Sequence, residues 1–101
     1  MGRREVAERH GEILRELNAE RAAALMRISR TLESLIEDLH AMRERLAQST
    51  ADERSRDLAA YRDLRKRALT YRWYLEVQRE ALGLRHHRIL DEVYAIPAAP
   101  A

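Results

Sequence analysis

Apolar residues in the first half of the chain follow one regular pattern, in which they recur at alternating steps of three and four positions. The positions are Leu25, Ile28, Leu32, Leu35, Leu39, Met42 and Leu46. This spacing is the a/d repeat of a helix that buries one narrow seam against another helix. The pattern therefore predicts a long helix with a coiled-coil-like seam.

The same helix is predicted to extend to the N-terminus with a less regular apolar stripe. This stripe contains Val6, Ile13, Leu14 and Leu17. Arg, Glu and Ala fill most of the other positions and favour helix. The first polar break comes at residues 48–53, where Ser49 and Thr50 precede Asp52 and Glu53 as at the start of a new helix. We predict helix one over about residues 3–48 and a turn over about 49–53.

A second a/d series follows the turn and predicts a partner helix of similar length. It consists of Tyr61, Leu64, Ala68, Tyr71, Leu75, Leu82 and Ile89. Pro97 disfavours helical geometry in the preceding residue, so the helix has to end before it. We predict helix two over about 54–94 and an extended tail over 95–101. Residues 1–101 then form a single all-α domain, an antiparallel two-helix hairpin.

The length and the cysteine count both favour oligomerisation. Two helices within 101 residues enclose little core. The sequence contains no cysteine, which excludes disulfides and thiolate zinc sites as the means of stabilising a small chain. We expect the hairpin to dimerise into a four-helix bundle, with a tetramer as the alternative.

Residues 68–84 are apolar on more than one face of helix two, so this segment should contact something besides helix one. A homo-oligomer interface is the favoured interpretation, and a docking site for another protein or a ligand pocket are the alternatives. The predicted interface residues are Tyr71, Trp73, Tyr74, Leu75, Val77, Leu82 and Leu84.

The charge is nearly balanced, with 19 Lys and Arg against 17 Asp and Glu, so the overall charge identifies no polyanionic partner. Helix two nevertheless carries a local basic run near Trp73. Cations on one accessible face can contact phosphates, which makes the run a candidate nucleic-acid contact; a solvated face with inter-helix ion pairs is the simpler explanation. The run is Arg62, Arg65, Lys66, Arg67 and Arg72.

Metal binding has two candidate sites, both with features that oppose it. Glu37 and His40 form a helical E-x-x-H, but the hairpin places arginines opposite them. The second candidate lies at the open end of the hairpin, where His86 and His87 point about 100° apart on a helix and cannot both face one ion. Its candidate ligands are His10, His86, His87 and Asp91. We expect no cofactor.

These patterns predict a class of function and no specific activity. The chain has no cysteine, no Gly-rich phosphate loop and no arrangement typical of a catalytic triad. It also has no apolar segment of membrane-spanning length. We expect a cytoplasmic, non-enzymatic interaction or assembly protein that acts through homo-oligomerisation and contacts with other proteins. An arginine-mediated nucleic-acid binder and a metal-binding helical bundle are the alternatives.

Overall fold

A computed structural model describes residues 2–100 of the chain, and the two outermost residues of the predicted domain, Met1 and Ala101, lie outside this range. Within it the chain forms three helices: α1 (Arg3–Gln48), α2 (Ala51–Ala81) and α3 (Arg88–Val93). The two long helices are joined by a short link and pack against each other. The prediction of an all-helical hairpin is therefore confirmed.

The turn between α1 and α2 is held by a capping box. The Thr50 hydroxyl accepts a hydrogen bond from the Glu53 backbone amide, and the Glu53 carboxylate accepts one from the Thr50 amide at 3.3 Å. Each bond satisfies a backbone donor that the start of a helix leaves without an intrahelical partner. Ser49 adds a bond from its hydroxyl to the Asp57 carboxylate at 2.6 Å. The turn lies where the polar cluster predicts it.

The core is the predicted seam. Four leucines of α1 are buried against Tyr61, Ala68 and Leu75 of α2, and Leu90 of α3 joins them. The four leucines are Leu32, Leu35, Leu39 and Leu46. Because a buried leucine replaced by alanine typically costs about 2–5 kcal/mol, these side chains carry much of the stability of so small a core.

The second helix ends earlier than the sequence pattern predicts, and the prediction of a helix to residue 94 is wrong. Gly83 has φ +85°, in the left-handed region that other residues enter only at a cost. Its amide donates to the Glu80 carbonyl at 2.9 Å, and the Leu84 amide donates to the Arg79 carbonyl at 3.0 Å. This is the glycine C-cap that commonly ends helices. The periodic apolar residues Leu82 and Ile89 favour continuation of the helix, but Leu82 is the C-cap residue of α2 and Ile89 belongs to α3.

After the turn at Gly83, the chain returns along the hairpin as a third layer. Leu90 is buried, and Tyr94 and Ile96 pack against the core. The tail that follows α3 is non-helical, as predicted, and it is held against α2. The Tyr61 hydroxyl donates to the Ala98 carbonyl at 3.0 Å, and the Arg65 Nε donates to the Pro97 carbonyl at 2.9 Å.

The early end of α2 leaves most of the N-terminal part of α1 uncovered by the other described residues. Residues 3–10 and 12–23 are all exposed, and burial begins around Leu25. The Arg21 guanidinium donates to the Ala81 carbonyl at 3.3 Å, so α2 ends beside this part of α1. We call residues 3–23 the arm; at 1.5 Å per residue it is about 30 Å long. The molecule measures 75 × 21 × 15 Å.

Candidate interaction surfaces

The outer side of α2 carries an exposed apolar stripe. Leu69, Trp73 and Val77 follow one another at steps of four residues, which places them along one face of the helix. Trp73 is 59% exposed. The ring of Tyr74 lies beside it, with the two ring centroids 5.7 Å apart, and Tyr71 contacts Tyr74 edge to face at 5.4 Å. We call Leu69, Trp73, Tyr74 and Val77 the Trp73 face.

The structure divides the seven predicted interface residues into two groups. Five of them are exposed and available for contact: Trp73, Tyr74, Val77, Leu82 and Leu84. Leu75 is 1% exposed and belongs to the core of its own chain, and Tyr71 is half-buried against that core. Leu75 therefore has to be removed from the predicted contact surface, because its position on the α1–α2 seam already covers it.

The arm is a second exposed apolar surface, although the predicted two-helix hairpin places helix two against it. Val6, Ile13, Leu14 and Leu17 are each between 42% and 55% exposed. Sequence reasoning misses this exposure because the predicted helix two extends to residue 94 and would cover the arm. Gly83 is the signal in the sequence that helix two ends earlier, because glycine is common just after the last residue of a helix.

The predicted basic run is partly occupied by contacts within the chain. Arg65 donates to the tail carbonyl of Pro97, and Arg72 forms an ion pair with Asp91 of α3. Arg62, Lys66 and Arg67 are exposed and form no ion pair with other described residues. Three of the five cations thus remain for an external anion.

The histidines and acidic residues proposed as metal ligands do not form a cluster. His87 Nε2 lies 3.0 Å from the Glu80 carboxylate, Asp91 pairs with Arg72, and His10 is exposed on the arm. In the described part of the chain, no three His, Asp or Glu side chains are placed to hold one metal ion. The turn at Gly83 separates the groups that a continuous helix two was expected to bring together.

A cavity of about 220 Å³ lies where α3 returns across α1 and α2. Its lining is mostly apolar, with Ser29, Arg79 and Tyr94 as the residues that carry polar groups. The Arg79 guanidinium donates through Nη2 to the His86 carbonyl, while its buried Nε finds no partner within residues 2–100. The volume is below the roughly 300–1,000 Å³ of most ligand pockets, so the exposed apolar surfaces are the stronger functional candidates.

Comparisons of the chain with protein-family models, curated proteins and solved structures gave no significant match. Among residues 2–100, no helix combines the length and the apolar character needed to cross a membrane. Residues 2–100 do expose apolar side chains, and the Trp73 face and the arm are among the places where they do so.

Proposed function

We propose that the protein is a cytoplasmic, non-enzymatic helical interaction protein that self-associates and serves as a small scaffold, adaptor or assembly subunit. The observation that carries this proposal is the Trp73 face. Large exposed apolar patches on water-soluble proteins commonly mark sites of contact with other molecules. Trp and Tyr are enriched at interfaces because they bury a large area and keep a polar group for hydrogen bonding.

The geometry of the Trp73 face suits packing against another helix. Its three main side chains form a ridge along the i, i+4 direction, the kind of ridge that fits into the groove of a neighbouring helix. Two copies that place these ridges against each other would bring two hairpins together. The product is the four-helix bundle that we propose as the assembled form.

The test is the solution mass measured by light scattering over a range of protein and salt concentrations. One chain has a mass of 11.8 kDa, and we expect the wild type to have the mass of a dimer or a larger oligomer. For Trp73→Glu we expect a shift towards the mass of the monomer. The matched control is Ala60→Glu, which adds the same charge to an exposed position about 140° around α2 from Trp73. An unchanged mass for Trp73→Glu would contradict a role of this face in assembly, and a monomeric wild type would contradict self-association altogether.

A nucleic-acid binder is the second candidate, supported by the exposed Arg62, Lys66 and Arg67 near Trp73. Three phosphate contacts would give a slope of about −2.7 for the logarithm of affinity against the logarithm of salt concentration. Binding of a fluorescent oligonucleotide measures that slope. No binding at low salt would exclude this candidate, whereas a slope that becomes shallower in Lys66→Ala would support it.

A further inference from the structure

The apolar stripe of the arm continues the side of α1 that packs on the core. Val6, His10, Ile13 and Leu17 follow steps of four, three and four, which is an a/d spacing. Leu17 lies eleven residues before Ile28, and eleven residues make about three full turns, so the two project from nearly the same side. Ile28 packs against the core. The stripe is therefore exposed because α2 ends at Ala81, beside Arg21.

We propose that the arm binds the arm of a second copy of this chain, antiparallel, with residues whose numbers sum to 23 side by side. This inference rests on the proposed self-association and deepens it, because it names a surface other than the Trp73 face. The second copy's arm occupies the side of α1 that the chain's own α2 leaves uncovered.

The register is set by apolar layers and by complementary charges. Val6 packs on Leu17 of the second copy, and Ile13 packs on His10 of the second copy, each pair occurring twice by symmetry. Arg3 then lies opposite Glu20 in the terminal layer. The g position of a heptad precedes the a position and flanks the seam, and an antiparallel coiled coil brings the g positions of its two helices together. Here Arg9 of one copy lies beside Glu16 of the second copy, and the two carry opposite charge.

A parallel pair of arms is disfavoured by the same residues. In that arrangement each seam residue faces its own copy, so Arg3 opposes Arg3, His10 opposes His10 and Glu20 opposes Glu20. Like charges placed directly opposite each other destabilise the pair. Parallel arms would also bring both hairpins to the same end, where α2 of each chain already covers the facing side of α1. The antiparallel pair places the hairpins at opposite ends.

The length of the arm fits this arrangement. An overlap of residues 3–20 stops short of Leu25, where α1 begins to pack against the rest of its own chain. Most helical stability in proteins comes from the packing of an apolar face, and pairing would cover the apolar face of the arm. The seam is short, with four apolar layers of which two contain histidine, so we expect a dimer that dissociates on dilution.

The experiment measures the dimer dissociation constant of the full-length chain by sedimentation equilibrium, with Trp73→Glu as the background so that the Trp73 face does not contribute. Leu17→Glu should abolish arm pairing. Arg9→Glu places like charges together twice and should weaken the dimer by about tenfold, while the double variant Arg9→Glu with Glu16→Arg should restore it. The matched control is Arg15→Glu, the same substitution on the outer side of the arm. Circular dichroism shows whether each variant keeps its helices.

The outcomes distinguish this inference from the proposed function. Loss of the dimer in Leu17→Glu, together with restoration in the double charge swap, supports arm pairing in the stated register. A Trp73→Glu background that is already monomeric, or whose dimer resists Leu17→Glu, overturns arm pairing and leaves the self-association of the wild type intact. A wild type that stays monomeric at millimolar concentration overturns both. Equal weakening by Arg9→Glu and Arg15→Glu also overturns the register.

Discussion

Tyr61 links the hairpin core to the tail, and replacing it separates hydrogen bonding from packing. Its ring is fully buried, and its hydroxyl donates to the Ala98 carbonyl at 3.0 Å, with the Pro97 carbonyl at 3.4 Å. In Tyr61→Phe the Pro97 carbonyl keeps its bond from Arg65, and Ala98 is exposed enough for water to replace the hydroxyl. We therefore expect a loss of only about 0.5–1 kcal/mol, the lower part of the range for a neutral hydrogen bond.

Tyr61→Ala removes the ring as well and leaves a cavity in the centre of the core, so the expected loss rises to about 3–5 kcal/mol. The assay is urea unfolding followed by circular dichroism at one fixed protein concentration, because self-association would make the apparent stability depend on concentration. Tyr74→Phe is the control, since the Tyr74 ring is substantially exposed. Equal losses in Tyr61→Phe and Tyr61→Ala would refute the separation of the two contributions.

Three other substitutions test the elements that define the fold by the same unfolding assay. Gly83→Ala should cost about 1–2 kcal/mol from the left-handed backbone alone, because an added Cβ meets no atom within 4 Å; no loss would contradict the assigned φ. Thr50→Ala removes the capping bond to Glu53 and should cost about 1 kcal/mol, which a neutral result would dispute. Leu39→Ala should cost about 2–5 kcal/mol, far more than Met26→Ala at a half-exposed position.

The seam and the turn could be predicted because both are local in origin. The a/d repeat from Leu25 to Leu46 is typical of a helix with one face covered, and all seven of its positions are buried or packed on the core. The capping residues Thr50 and Glu53 specify the start of α2 by bonds to their own neighbouring backbone. The seam pattern and the capping residues do not depend on the path that the rest of the chain follows.

The reversal of the chain at Gly83 could not be predicted from the apolar periodicity, because the same spacing of apolar residues continues on both sides of the turn. Leu82 and Ile89 keep the heptad interval, yet Leu90, next in sequence to Ile89, is the residue that α3 buries. The same error also affects the candidate interaction surfaces. A helix two that continues to residue 94 would cover the arm and would bring His86 and His87 towards His10. It would also leave out the cavity that α3 closes.

The uninterrupted course of α1 has a consequence for how the sequence can change. The arm and the hairpin belong to one helix of 46 residues, so every residue inserted between Leu17 and Leu25 turns the arm's stripe by about 100° relative to the hairpin. Inserting or deleting a single residue there rotates the arm's stripe away from the side of α1 that packs on the core. An insertion of seven residues, which is about two turns, nearly restores the alignment. Length variation in this segment is therefore constrained by helical phase. In the proposed antiparallel pair both arms carry the insertion, so seven added residues would move the two hairpins apart by about 20 Å.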